Sequence, residues 1–228
     1  LRNAGYSASQ LKSAGFDTDN EPDTCTLKDV EKAHSDGVPA KVLYEKGCPA
    51  STLKAAGYTA AQMKAAGYSA AELKAAGFTA DELRQAGYDA AALKDAGFTA
   101  GELRSAGFTA SDLKGAGFSS LDLKNAGYSP EEIKKAGYSA AEMAAAGYSA
   151  QQLKDLGFDA KDLKAAGFSA KELAATGMSA SELKNAGFTN EDLKTAGFTP
   201  TQIEATGEDS SKDAKTSDST TKKTTTDM

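Results

Sequence analysis

Four acidic side chains at alternate positions, Asp17, Asp19, Glu21 and Asp23, form the densest group of cation-binding residue types in the chain. Carboxylates spaced in this way can wrap a hard cation, and the run looks like the opening of a calcium loop. The rest of that pattern fails. Pro22 stands where a helix-loop-helix site needs its glycine, and Lys28 where it needs the closing bidentate glutamate. The run therefore reads as a solvated acidic loop, and no metal ligand is assigned.

Cys25 and Cys48 are the only two cysteines, and each occupies a position where aromatic residues recur elsewhere in the chain. Taken singly they read as small buried apolar residues. They lie two modules apart, so if alternate modules stack the thiols can meet as a disulfide. Such a pair would favour an extracellular or cell-surface setting. His34 is the sole histidine and has no Cys or Asp at ligand spacing on a shared helix face, so it reads as a surface residue near a helix end. Ser and Thr are abundant, but no His, Cys or acid singles one out as a nucleophile. Glycines recur singly rather than in a phosphate-cradling loop. No catalytic residue and no cofactor are assigned, and the expectation is a protein that is not an enzyme.

The elements that carry these residues are written as repeats. Seventeen consecutive ten-residue units run from Val38 to Gly207 in the order aromatic, Ser/Thr, Ala, variable, Asp/Glu, Leu, Lys, variable, Ala, Gly. Fifteen units have Ser, Thr or Asp at the second place and fourteen have Asp, Glu or Gln three residues later, which is the spacing of a capping box. Phe or Tyr precedes the cap in fourteen units and Leu, Ile or Met follows five residues after it in all seventeen, the spacing of a hydrophobic staple. Pro130 and Pro200 fall at the first helical position, and every unit closes on the glycine that favours a left-handed terminator. Start and stop signals together predict a helix of about two turns in each unit.

A pentapeptide-type β-solenoid is the competing architecture, because Leu and an aromatic alternate every five residues. It would point Asp81, Glu131, Gln151, Lys161, Lys171 and Glu191 inward, and buried unpaired charges cost several kcal/mol each. Ile and Val are also scarce in the array, where strands would favour them. The expected fold class is therefore all-α: a solenoid of short helices, one per ten-residue repeat, forming a superhelical rod. A two-turn helix is far below the roughly 12–15 residues at which an isolated helix becomes marginal in water, so the units must hold one another up. The aromatic, Leu and two Ala of each unit supply the apolar surface.

The chain divides into irregular N-terminal repeats at 1–37 with the acidic loop at 16–24, the seventeen repeats at 38–207, and a Ser/Thr/Lys/Asp-rich tail at 208–228 expected to be disordered. Thr26, with Asp29 three residues on, predicts a longer helix running to Gly37. The chain starts part-way through a unit, so it is expected to begin inside a longer array or after a removed segment, and its start does not read as a signal peptide.

A formal charge of −6 over 228 residues gives no bias toward nucleic acid. Lys or Arg follows the Leu in thirteen units, from Lys54 to Lys194, but the acid two positions earlier, as at Glu72, Glu82, Glu102 and Asp112, interleaves with this file. The file reads as a solvated face with modest local pairing. No stretch approaches the roughly 20 apolar residues of a membrane span.

Residue diversity is confined to the second and sixth helical positions. The expected function is a non-enzymatic scaffold or spacer that binds a protein partner along its surface. The candidate contacts are Asp81, Gln85, Glu131, Lys135, Gln151, Asp155, Lys161, Lys171, Asn185 and Glu191. The alternative is ice or crystal-surface binding through a regular Ser/Thr file, provided that those hydroxyls are free.

Overall fold

Local chemistry marks where most of the helices start. In a computed structural model that describes residues 24–207, Ser69 adopts an extended backbone, its hydroxyl accepts from the Glu72 N–H, and the Glu72 carboxylate accepts from the Ser69 N–H at 2.7 Å. Two of the first-turn donors that an α-helix leaves unpaired are answered in this way. The same reciprocal box stands at thirteen helices among the described residues, with Asp in place of Glu at Asp112, Asp122 and Asp192 and Gln at Gln62, Gln152 and Gln202. Asp89 and Asp159 cap without a box, and Pro39 and Pro49 give no side-chain cap.

Termination is equally local. The Gly77 N–H bonds the Lys74 carbonyl at 2.8 Å and the Phe78 N–H bonds the Leu73 carbonyl at 3.0 Å, the paired reverse bonds of a Schellman stop. Gly77 sits at φ 87°, and a Cβ there would also lie 3.4 Å from the Lys54 ammonium. A side chain at this corner would thus meet both backbone strain and a neighbour.

The result is eighteen α-helices among the described residues and no strand. Helix α1 is Leu27–Ser35, capped by Thr26, and α2 to α18 follow one per repeat. They are Ala40–Glu45, Ala50–Ala55, Ala60–Ala66, Ala70–Ala75, Ala80–Gln85, Ala90–Asp95, Ala100–Ser105, Ala110–Gly115, Ser120–Asn125, Pro130–Lys135, Ala140–Ala145, Ala150–Asp155, Ala160–Ala165, Ala170–Ala175, Ala180–Asn185, Asn190–Thr195 and Pro200–Glu204. A 3₁₀ turn, Ala205–Gly207, ends the described chain. The helical fold class expected from the capping pattern is the one observed, and the strand alternative is not. The acidic residues 16–23 and the tail 208–228 lie outside the described residues.

The described residues form two compact units that divide between Tyr138 and Ser139. Within each unit a helix packs on the helix two repeats along as well as on its chain neighbour. Successive helices therefore alternate between two sides, the arrangement of a solenoid with two repeats per turn. The centre of both units is a file of Leu, Ile and Met at the fourth helical position. In the first unit, Leu73, Leu83, Leu93, Leu103, Leu113, Leu123 and Ile133 are fully buried, as are Met143, Leu153, Leu163, Leu173 and Leu183 in the second. The first Ala of most helices is buried too, which lets backbones approach closely.

The aromatic position ties alternate repeats together in the first unit. Tyr58 Oη donates to the Val38 carbonyl at 2.7 Å, Tyr68 to Cys48 at 2.6 Å, Tyr128 to Phe108 at 2.6 Å and Tyr138 to Phe118 at 2.5 Å; Tyr88 donates likewise to Tyr68. Each bond runs to the aromatic position two repeats back. Burial pushes the phenols of Tyr58 and Tyr68 up to about 12.

Candidate interaction surface

The file of Lys and Arg after the Leu is not the solvated face that its sequence spacing suggests. Lys74 Nζ donates to the Gly97 carbonyl at 2.5 Å and lies 4.4 Å from the centroid of the Phe98 ring, so it seals the helix end two repeats along. Lys54 and Lys64 do the same at Gly77/Phe78 and Gly87/Tyr88, and Lys114 at Gly137/Tyr138. Arg84 reaches the Ala106 carbonyl at 2.6 Å, Lys94 that of Gly117 at 2.6 Å, and Arg104 that of Ala126 at 3.1 Å. In the second unit Lys154 reaches Thr176 at 2.5 Å and Lys164 reaches Gly187 at 2.5 Å. A cation at a helix C-terminus meets the negative end of the macrodipole, and the ring face adds a second electrostatic attraction. The expected pairing with the acid inside the same helix gives way because that acid is already bound to its N-cap. Lys194–Glu191, at 3.5 Å, and Lys32–Asp36, at 3.3 Å, are ion pairs that remain within single helices.

His34 and Tyr44 begin this ladder. Helix α1 carries one extra turn, so His34 rather than Glu31 stands three residues before its closing glycine, Gly37. Its ring meets Tyr58 edge-on at 4.5 Å, and Tyr44 meets Tyr68 at 4.7 Å, 24 residues along in each case, as in the Lys54 to Phe78 pair. The histidine is thus a packed rung and not a plain surface residue. Beside it, the sulfurs of Cys25 and Cys48 are 2.05 Å apart with Cα atoms at 5.2 Å, which is disulfide geometry, and the two span a sequence separation of 23.

The acids of the capping boxes are equally committed. Hydrogen bonds from Ser69, Thr79 and Thr99 hold the carboxyls of Glu72, Glu82 and Glu102 below the ordinary glutamate range, and Ser119 does the same for Asp122. The hydroxyls donate back to those carboxylates, as Ser69 does to Glu72 at 2.7 Å and Thr109 to Asp112 at 2.7 Å.

The second and sixth helical positions form an outer stripe. Asp81, Gln85, Glu131, Lys135, Gln151, Asp155, Lys161, Lys171, Asn185 and Glu191 are all exposed. Gln85 Nε2 donates to Asp81 at 2.7 Å and Gln151 Nε2 to Asp155 at 2.7 Å, so the two positions of one helix face outward together. The alternation of sides separates the set. In the second unit Gln151, Asp155, Lys171 and Glu191 belong to alternate helices on one side, and Lys161 and Asn185 to the other. In the first unit Asp81 and Gln85 lie opposite Glu131 and Lys135. That sidedness was missed from sequence, because a ten-residue period does not state how many repeats complete a turn.

Among the described residues no group of His, Cys, Asp and Glu is placed to hold a metal ion, and no helix is long and apolar enough to cross a membrane. The model of the decapeptide repeat region matches residues 37–109, 87–160 and 137–210. The chain belongs to this decapeptide repeat family. No curated protein matches it. Membership fits a repeat scaffold, and the three matched windows together span α2 to α18.

Proposed function

We propose that this decapeptide repeat protein is a non-enzymatic scaffold or spacer that binds a protein partner through the outer stripe of its second and sixth helical positions. One observation carries the reading. In most repeats the cap, acid, Leu, Lys, Ala and Gly are engaged in holding the array together, and the side chains of this stripe are exposed and differ between repeats. Shallow grooves between alternate helices, such as the one lined by Gly57, Tyr58, Thr59, Phe78, Glu82 and Gln85, border it. The ice-binding alternative loses its motive, since the Ser and Thr hydroxyls are bound in capping boxes. A disulfide between Cys25 and Cys48 supports an extracellular or cell-surface setting, where such a bond persists.

The test is to exchange the stripe on one side only. Gln151, Asp155, Lys171 and Glu191 are replaced by Ala in the full chain, and an extract of the source cells is passed over intact and exchanged protein. Helicity by circular dichroism should be unchanged and the proteins retained by the intact chain should be lost. Retention of the same proteins by both would refute the assignment.

A further inference from the structure

The cation ladder has gaps, and one gap keeps every group that a cation would touch. In the rungs that are filled, a Lys or Arg side chain covers the ring 24 residues along, at Phe78, Tyr88, Phe98, Phe108, Phe118, Tyr128, Tyr138 and Phe188. Such a cation also reaches a carbonyl at the closing glycine or the residue before it. It faces the capping-box acid 28 residues along as well: the charge of Lys54 is felt by Glu82, Lys74 by Glu102, Lys94 by Asp122 and Lys164 by Asp192. Ala144 and Ala174 stand where two of these cations would be.

Opposite Ala144 are Gly167, Phe168 and Glu172. A Cβ built on Gly167 meets nothing within 4 Å, whereas at Gly77, Gly87, Gly97 and Gly117 the lysine ammonium of the filled rung lies 3.1–3.4 Å from that position. Glu172 is held by the hydroxyl and N–H of Ser169 and by no rung cation. Opposite Ala174 the ring and glycine recur as Phe198 and Gly197, but Gln202 replaces the acid. The two gaps therefore differ by one negative charge.

We propose that the Gly167, Phe168 and Glu172 corner is a docking site for a lysine side chain of a partner polypeptide, which completes the rung that Ala144 leaves open. The chemistry is taken from the neighbouring rungs: an aliphatic stem laid over the aromatic ring, an ammonium on the helix-end carbonyl, and a carboxylate beside it. The Gly197 and Phe198 corner, lacking the carboxylate, is the weaker of the two. None of its three residues belongs to the outer stripe, so it stands even if exchange of the stripe leaves partner capture intact.

The full chain labelled with ¹⁵N-phenylalanine gives nine reporters. It is titrated with N-acetyl-lysine-N-methylamide and, separately, with the uncharged N-acetyl-norleucine-N-methylamide. The lysine amide should shift the Phe168 resonance saturably and the Phe198 resonance several-fold less, while the norleucine amide moves neither comparably. Ala144→Lys should fill the site from within and abolish the response. Glu172→Gln keeps the capping box, as Gln62 and Gln152 do, and should weaken binding about threefold, the worth of one exposed charge pair. An unmoved Phe168, an equal response to the norleucine amide, or an unchanged titration of the Ala144→Lys protein would overturn the proposal.

Discussion

Replacing Lys74 by Met separates a structural rung from a solvated lysine. Methionine keeps the apolar stem over Phe98 and removes the ammonium that donates to Gly97 at 2.5 Å and lies 4.4 Å from the ring. A hydrogen bond to a charged group nets about 1.5–3 kcal/mol, but Lys74 is only half-buried and the freed carbonyl can take up water, so about 0.5–1 kcal/mol is the fair share. The ring contact adds about 0.5–1 kcal/mol, for a sum near 1–2 kcal/mol. Long repeat arrays do not unfold all at once, so the loss should be read locally. Hydrogen exchange of the Phe98 amide, bonded to Leu93 at 2.9 Å, and of the Gly97 amide, bonded to Lys94 at 2.8 Å, should speed up about 5- to 30-fold. Lys171→Met, on the exposed stripe, should change stability by no more than about 0.5 kcal/mol. If the two substitutions have the same effect, the ladder contributes nothing and the sealing argument is wrong.

Three further outcomes follow from the same contacts. Leu103→Ala opens a cavity at a fully buried position and should cost about 2–5 kcal/mol, read as a lower urea midpoint and faster exchange in α8. Because the carboxyls of Glu72, Glu82, Glu102 and Asp122 are held below their ordinary values of 4.5 and 3.8, their contribution is complete above those values and is lost as pH falls through the lower folded ones. The thermal midpoint should drop on acidification below that range, and Gln at the three glutamates should flatten the drop while preserving helicity. Conversely, the phenols of Tyr58 and Tyr68 are raised from 10.0 to about 12, so what they contribute is intact below 10.0 and fades as pH climbs toward 12. Tyr58→Phe should cost about 1 kcal/mol at neutral pH, the worth of its bond to Val38, and soften the alkaline loss.

Most of what could be read from the sequence is settled within about five residues; the approach of Cys25 to Cys48, expected if alternate modules stack, is the exception. The Ser69 and Glu72 box, the Gly77 stop and the buried Leu73 file each follow from spacings inside one unit, and the helices begin and end where those spacings put them. The cation ladder and the two sides of the outer stripe depend on which repeat lies against which, at separations of 20 to 24 residues, and no local rule states that. A signal was nonetheless present. Lys or Arg recurs after the Leu more faithfully than the pairing of exposed charges on a helix requires, and His34 stands three residues before Gly37 as Lys54 stands three before Gly57. Distance to the closing glycine, rather than distance from the cap, identifies a rung.

The division of labour inside one repeat explains why so little of its surface is left to vary. A six-residue helix such as α5 has no stability of its own, so its two ends must be closed by groups that cost nothing elsewhere: a hydroxyl and an acid from within at the start, a lysine from two repeats back at the finish. Each lysine thus joins one repeat's side chain to another repeat's backbone. Ala144 and Ala174 both fall in the second unit, and the helix-end corners two repeats along are open, a Cβ on Gly167 or Gly197 meeting nothing within 4 Å. Had these lysines been only a solubilising file, their replacement by alanine would have left no trace two repeats along. The open corners at Gly167 and Gly197 are that trace.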